Sequence, residues 1–193
     1  MFSWIVANTL VVLLLLVFAH VFIGVRFTGT PLSSDLSVEN NYRYISAADG
    51  REWWVVYQWP WDSTFSGEVR DVSTWEDYRV PFMSHDILVT SGEFADPEVV
   101  RTSVQDHIFI FRYWGQRPDG QIYPLHTFPA SKEVLEDLEN IQSGDNVRIT
   151  GREILLIKFY NALGNPIGHL TDNGCNTILV TKVEIIAEEM AGR

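Results

Sequence analysis

Two pairs of neighbouring acid and imidazole side chains are the first residues here whose types and spacing could do chemistry. They are His85 with Asp86, and Asp106 with His107. A carboxylate beside a histidine orients the ring and supports general acid–base catalysis. A hydrolase using His85 or His107 would also need a nucleophile, and no Gly-x-Ser-x-Gly motif supplies one. We therefore interpret both pairs as structural polar contacts and predict no catalytic residue.

The chain has a single cysteine, Cys175, so no intrachain disulfide can form. It could be a reactive thiol or a small buried side chain. A zinc site needs three or four converging ligands, and the one conceivable cluster is His169, Asp172 and Cys175 in one loop. Asp172-Asn-Gly is more typical of a plain turn. Glycine-rich nucleotide motifs and Cys-x-x-Cys-His are also absent, so we predict no metal and no cofactor.

An apolar run from Trp4 to Val25 predicts that the rest of the chain is tethered to a membrane. It contains 22 residues and no ionisable side chain except His20. A helix needs about 20 apolar residues to cross a bilayer. No basic residue precedes the run and no Ala-x-Ala follows it, so we predict an uncleaved anchor and not a signal peptide.

One face of the predicted anchor helix carries small and polar residues. At helical spacing it reads Thr9, Leu13, Leu16, His20 and Gly24. Small and polar residues favour contact between helices in membranes, which predicts packing against a partner helix. The alternative is that His20, near the Val25 end, only reaches the lipid headgroups.

Composition limits the partners of the remaining chain. The formal net charge is −11, with 14 Lys and Arg against 25 Asp and Glu. Binding to a phosphate backbone needs a cationic surface, so we predict no nucleic-acid partner. We divide the chain into a transmembrane anchor (1–26), a linker rich in Ser, Thr and Asn (27–41) and a β-rich soluble domain (42–188).

Alternating apolar and polar residues, separated by turn residues, predict that the soluble domain is mainly β. The strongest signal is Asp49-Gly50, which predicts a hairpin between two strands. The predicted strands cover 42–46, 52–58, 65–73, 107–114, 121–128, 147–150, 154–160 and 177–186. The strand at 107–114 is expected to pair with 121–128 across a Pro-Asp-Gly turn.

Two short helices are predicted between these strands. Asp96-Pro97-Glu98 has the form of a helix start and predicts a helix over 97–104. Ser131 is the predicted N-cap of a second helix that stops before Gly144. The predicted fold class is mainly β: a single N-terminal transmembrane helix followed by a β-barrel or sandwich-like domain with two short helices.

Tryptophans are concentrated near the start of the domain, at Trp53, Trp54, Trp59 and Trp61. Such a cluster belongs to a core, contacts another protein or stacks on sugars. We predict an interaction surface here.

Several short pieces between Gln58 and Ile186 follow one another in a recognisable order. They are Trp75-Glu-Asp77-Tyr78, Pro81 to Asp86, Thr90-Ser91-Gly92, Ala95-Asp96-Pro97, Phe111-Arg112-Tyr113-Trp114, Pro129-Ala130, Gly144-Asp145-x-Val147, Gly151 and Asp172-x-Gly174-Cys175. In this order they resemble an uncharacterised family of bacterial membrane-anchored envelope proteins with a β-rich, OB- or SH3-like domain. The chain departs from the family at Ser91 (Trp in the family), Asn173 (Thr) and Asn176 (Glu). The resemblance implies an envelope location and no known chemistry.

Together these features predict a single-pass accessory or structural subunit of a larger integral membrane complex, respiratory or photosynthetic, and not an enzyme. The expected partners are integral membrane subunits and the lipid bilayer. Only Arg26 flanks the anchor closely, so charge says little about orientation. The commoner topology and the resemblance favour the bacterial inner membrane, with the C-terminal domain in the periplasm. The alternative is a membrane-tethered envelope module that binds a glycan or peptide.

Overall fold

Residues 35–58, 61–75, 77–171 and 174–186 are described by the computed structural model of the chain, and they fold mainly into β-strands. In chain order the strands are β1 (Leu36–Glu39), β2 (Tyr44–Ala47), β3 (Glu52–Tyr57), β4 (Ser63–Thr74), β5 (His85–Gly92), β6 (Val100–Gln105), β7 (Ile108–Tyr113), β8 (Gly120–Pro129), β9 (Asn146–Tyr160), β10 (Pro166–Thr171) and β11 (Asn176–Ile186). One α-helix, α1 (Lys132–Glu139), and a single 3-10 turn (Glu93–Ala95) complete the described part.

The predicted anchor, with its stripe from Thr9 to Gly24, lies outside these ranges, as does Trp59. Among the described residues, no helix has the length and apolar character needed to span a bilayer.

Five of the strands close into a barrel. β4, β5 and β8 pair antiparallel in succession, and β11 then lies parallel to β8. β9 pairs antiparallel with both β11 and β4, which closes the ring. Side chains alternate along each strand, so one set fills the barrel interior. That set includes Ile87, Leu125, Ile149 and Ile178, all fully buried.

The helix α1 covers one end of this interior. The Ser131 side chain accepts a hydrogen bond from the Val134 backbone N–H, which satisfies a free donor of the first turn. Val134 and Leu138 are buried against the barrel core. The N-cap predicted at Ser131 is therefore confirmed.

β9 is 15 residues long and belongs to two sheets. Its second half pairs with β3 on one side and β10 on the other, and β2 and β1 follow outside β3. We name the strands β1, β2, β3, β9 and β10 the extension sheet. Gly151 allows β9 to pass close to β11, since a Cβ there would lie 2.1 Å from the Leu179 carbonyl oxygen. The two strands predicted at 147–150 and 154–160 are this one continuous strand.

A hairpin of β6 and β7 forms a separate two-stranded sheet over the outside of the barrel. Its turn is Asp106-His107, with φ values of 49° and 65°, as in the tight turns that suit hairpins. The Arg70 guanidinium of β4 donates to the carbonyls of Phe94 and Val100, both at 3.0 Å. The hairpin base is thereby tied to the barrel.

Two sequence predictions are wrong in this region. The strand beginning at His107 pairs with β6 and not with 121–128, because β8 is occupied by β5 and β11. The helix predicted over 97–104 is absent. Asp96 does form a capping turn, since its side chain accepts from Glu98 N at 2.8 Å. The chain then enters β6, where β-branched residues and pairing with β7 favour a strand.

The predicted hairpin around Asp49-Gly50 is confirmed, with Ile45 opposite Trp53. Trp53 itself is 1% exposed, and its indole N–H donates to the Arg79 carbonyl at 2.8 Å. It packs edge-on against Phe82 in the core beneath the extension sheet. Trp53 is therefore a core residue and not part of an interaction surface.

Candidate functional site

A cluster of polar and aromatic side chains lies on the outer face of the barrel, under the β6–β7 hairpin. Asp86 of β5 is the direct cross-strand partner of His126 of β8. Their neighbours Ile87 and Leu125 point into the barrel, so Asp86 and His126 point outward. We name this group the Asp86 cluster; it consists of Trp75, Asp86, His107, His126 and Cys175.

Asp86 is the centre of the cluster and holds two histidines. Its Oδ1 lies 2.6 Å from His126 Nδ1, and its Oδ2 lies 2.7 Å from His107 Nδ1. The Asp86 side chain is 1% exposed, and a buried carboxylate is tolerated when it is paired and hydrogen-bonded. Because a carboxylate only accepts, each Nδ1 donates, and each ring turns its Nε2 away from Asp86.

Aromatic rings fix the orientation of both imidazoles. Trp75 stacks on His107 with ring centroids 3.8 Å apart and planes at 28°. The same indole meets His126 edge-on at 5.1 Å. Phe109 of the hairpin packs on His126 from another side, at 5.2 Å. The histidines therefore have little freedom to rotate.

Cys175 completes the cluster from the segment before β11. Thr177 is the partner of His126 in the parallel pair, and alternation places Cys175 on the same side of the sheet as Thr177. The half-buried Cys175 lies near enough to the His126 ring to influence the pKa of that ring. His126 is thus held between a carboxylate and a thiol.

The charge of His126 follows from these neighbours. Burial lowers its pKa, but the hydrogen bonds to Asp86 and Cys175 outweigh burial and raise the pKa to about 9. His126 is therefore an imidazolium at neutral pH. His85 has the opposite environment, since burial lowers its pKa below the ordinary value. It faces the barrel interior opposite Thr127 and takes no part in the cluster.

The sequence-based reading of the histidines needs one correction. His85 with Asp86, and Asp106 with His107, are not contacting pairs; Asp86 instead bonds the two more distant histidines, His107 and His126. His126 was missed, and the only signal for it was a histidine in the middle of a mostly apolar strand.

Of the conceivable metal cluster of His169, Asp172 and Cys175, the described residues include only His169 and Cys175. His169 lies on the extension sheet opposite Lys158, whereas Cys175 belongs to the Asp86 cluster, and Asp172 is outside the described residues. In the described ranges, no three His, Cys, Asp or Glu side chains are grouped so as to hold a metal ion.

A second surface of interest is the outer face of the extension sheet. Trp54 is 51% exposed there, with ring centroids 5.6 Å from Tyr160 and 6.3 Å from Tyr44. Beside this row lies a groove of about 380 Å³, whose lining includes Leu156, Lys158, Tyr160 and His169. Of the predicted surface tryptophans, Trp54 and Trp61 are exposed, and Trp61 lies before β4.

The topology defines the class of this domain. Three consecutive antiparallel strands are followed by one that returns beside the first, with α1 between the third and fourth barrel strands. A closed five-stranded Greek-key barrel of this kind is an OB-type barrel. In that class, ligands bind on the face of the second and third strands, here β5 and β8, which carry Asp86 and His126; this is an analogy of fold alone.

No known protein family matches the chain, and no curated protein sequence matches it. Among solved structures it is similar to the mitochondrial single-stranded DNA-binding protein Rim1 from S. cerevisiae. The two are 11% identical, the alignment covers 65% of this chain and 94% of that chain, and the TM-score is 0.33.

That neighbour is named as a single-stranded DNA-binding protein. The name conflicts with the predicted absence of a nucleic-acid partner, and we withdraw that prediction. The physical reason is that net charge sums over the whole chain, whereas binding depends on the local charge of one face.

Proposed function

We propose that this chain is a single-pass accessory subunit of a larger integral membrane complex, and that its β domain binds a partner subunit through the outer face of the extension sheet. The observation that carries the proposal is the row of Tyr44, Trp54 and Tyr160, in which Trp54 is exposed and the two tyrosines are half-buried. The proposed location is the bacterial inner membrane, with the domain in the periplasm.

The composition of this face supports a protein partner. Trp54 is accompanied by Val56, 38% exposed, on the same side of β3, and by Leu156 and Tyr160 of β9. Aromatic and aliphatic side chains together are typical of the buried centre of protein interfaces. Exposed apolar groups that are contiguous mark interaction sites more often than scattered ones do.

The edge of the extension sheet adds a second means of contact. β10 pairs with β9 only, among the described strands, which makes it an edge strand of the extension sheet. The connection before it carries Leu163, 84% exposed, and β10 itself carries Ile167, 58% exposed. A partner strand can add to such an edge through main-chain hydrogen bonds.

The anchor supports the membrane half of the proposal. The run from Trp4 to Val25 has the length of a spanning helix. Its stripe of Thr9, Leu13, Leu16, His20 and Gly24 would pack against a helix of the same complex. Two attachment points, one in the bilayer and one outside, raise the effective concentration at each contact.

Purification of the tagged full-length chain in a mild detergent tests the proposal, with quantitative mass spectrometry of integral membrane partners. We expect one stoichiometric partner with the wild type, and at least a tenfold loss with Trp54→Ala. Trp114→Ala is the matched control, because Trp114 is 73% exposed and directly follows β7, away from the extension sheet. Retention of the partner by Trp54→Ala, or equal loss with both variants, would contradict the proposal.

A glycan or peptide ligand is the second candidate, favoured by one observation. The groove beside Tyr160 is lined by Lys158 and His169 as well as by apolar groups, and spaced aromatic rings with a few polar groups suit such ligands. Titration of the full chain with peptidoglycan fragments and peptides, followed by tryptophan fluorescence, distinguishes the two. A saturable change that Trp54→Ala abolishes and Trp114→Ala retains would favour the ligand-binding function.

A further inference from the structure

We propose that the outer face of the β6–β7 hairpin contacts the surface of the bilayer and binds the phosphate groups of anionic phospholipids. Arg101 and Arg112 are the phosphate-binding residues, and Trp114 and Ile108 enter the region between headgroups and acyl chains. The inference rests on the membrane anchor of the proposed function and goes beyond it, because it assigns the side of the domain that faces the bilayer.

The hairpin has an inner and an outer face, and the register of its strands decides which residues lie on each. Phe109 packs against the Asp86 cluster and Val100 is fully buried, so this side of the hairpin lies on the barrel. Alternation places Arg101 and Arg112 on the opposite side, and both are exposed. Ile108, 63% exposed, lies on the same outer face.

Two like charges face each other at the base of this outer face. Arg101 and Arg112 are direct cross-strand partners, so their side chains are neighbours. Neither guanidinium takes part in an ion pair within the described part of the chain. The acidic residue of the hairpin, Asp106, lies in the turn at the other end. Like charges directly opposite each other are destabilising, and a phosphate bound between them would remove that cost.

An aromatic ring lies beside this arginine pair. The Arg101 Cζ is 5.5 Å from the centroid of the Trp114 ring, and Trp114 is 73% exposed. Arginine binds phosphate through two parallel hydrogen bonds, and the amphipathic indole is favoured at the membrane–water interface. Ile108, next to the turn, adds apolar surface that can be buried below the headgroups.

The hairpin is fixed to the barrel at both ends, so its outer face is held in place before anything binds. At the base, the Arg70 guanidinium donates to the Val100 carbonyl at 3.0 Å. At the turn, His107 is bonded to Asp86, and Trp75 stacks on its ring. A surface that is already ordered loses less conformational entropy on binding.

A short connection to the proposed anchor keeps the domain beside the bilayer. About ten residues separate Val25, the end of the apolar run, from Asp35, where the described part begins. Since a fully extended chain spans at most about 3.6 Å per residue, this distance is at most about 35 Å. A tether of this length gives a high effective concentration of lipid at the domain. A contact that is weak for a free domain can therefore persist.

Charge and apolar surface together favour a lipid partner for this face. The formal net charge of the chain is −11, so an anionic surface repels the domain on average. The potential of a membrane falls off within a Debye length of about 8 Å, and the cations nearest the lipid therefore decide which face can approach. A strand of nucleic acid also offers phosphates, but it gives Ile108 no apolar medium to enter.

Amide hydrogen exchange of the purified full-length chain in lipid nanodiscs tests the proposal. One preparation contains phosphatidylcholine alone, and the other contains about 30% phosphatidylglycerol, which gives the surface a negative potential. We expect exchange in β6 and β7 to be roughly fivefold slower, or more, with phosphatidylglycerol. Exchange in β9 reports on the fold and should be equal in both. Equal exchange of β6 and β7 in the two lipids would overturn the proposal.

Arg101→Gln combined with Arg112→Gln removes both cations and leaves the packed side of the hairpin intact. Because each cation near an anionic surface contributes roughly a fivefold change in binding, exchange in this variant should differ by less than about twofold between the two lipids. Arg148→Gln combined with Lys182→Gln is the matched control, since it changes the net charge equally and both cations already pair with Glu184. It should be protected as the wild type is; loss of protection in both double variants would contradict the assignment to the hairpin.

Two further outcomes separate this inference from the proposed function. A chain that does not enter the discs would contradict the anchor and this inference with it, whereas a chain that enters them with an unprotected hairpin would contradict this inference alone. Protection of the hairpin by oligothymidylate, without protection by phosphatidylglycerol, would assign the face to nucleic acid and overturn the membrane contact. The docking test is unaffected, because detergent offers no bilayer surface and Trp114→Ala remains its control.

Discussion

Asp86 and His126 face each other on adjacent antiparallel strands, and 2.6 Å separates the Asp86 Oδ1 from the His126 Nδ1. Both side chains point out of the barrel, yet both are buried, because the β6–β7 hairpin lies over them. The hairpin contributes His107 to the second oxygen of Asp86. One carboxylate thus links the barrel wall to the element that covers it.

Loss of the His126 proton should make the fold less stable at alkaline pH. Its pKa is raised from the ordinary value of 6.5 to about 9, so the folded chain binds the proton more tightly than the unfolded chain. The stabilisation is complete below about pH 6.5 and is lost as the pH rises through about 9. With ~1.4 kcal/mol per pH unit, it amounts to about 3 kcal/mol.

Urea unfolding of the full-length chain at pH 6, 7.5 and 9.5 measures this loss. In His126→Gln the free energy of unfolding should vary less with pH over the same range, because the titrating group is gone. A stability that rises between pH 7 and 9.5 in the wild type would show that the pKa of His126 is not raised.

Removal of the Arg70 side chain should loosen the hairpin. Its guanidinium donates to the carbonyls of Phe94 and Val100, and loss of hydrogen bonds from a charged donor costs about 1.5–3 kcal/mol. In Arg70→Ala we expect faster amide hydrogen exchange in β6 and β7, and faster alkylation of Cys175. Arg112→Ala, an exposed position on β7, is the control, and equal exchange in both variants would count against this role.

Removal of the cap of α1 should destabilise the domain by a smaller amount. The Ser131 hydroxyl accepts from Val134 N at 3.3 Å, and replacement of such a cap by alanine costs about 1 kcal/mol. Thermal unfolding of Ser131→Ala should show a lower midpoint. Ser143→Ala, at an exposed position after α1, should unfold as the wild type does; a matching shift in both would mean that the cap contributes nothing.

The two neighbouring tryptophans, Trp53 and Trp54, show what the sequence pattern predicts and what it leaves open. A strand was predicted over 52–58 and is present as Glu52–Tyr57, but the sequence made no distinction between Trp53 and Trp54. In the structure Trp53 is 1% exposed and Trp54 51%. Alternation required them to lie on opposite faces; only the packing of Phe82 beneath the sheet selected which face became the core.

Local interactions are the part of this protein that the sequence determined by itself. The Asp49-Gly50 turn, the Ser131 cap and the alternating strands depend on residues within a few positions of one another. The interactions that favour them are therefore available within a short segment of the chain. The tertiary structure decided the rest. Strand pairing overrode the capping signal at Asp96, and the β5–β8 register brought together Asp86 and His126 across 40 residues. Such contacts depend on how strands align throughout the barrel, and no local pattern encodes that alignment.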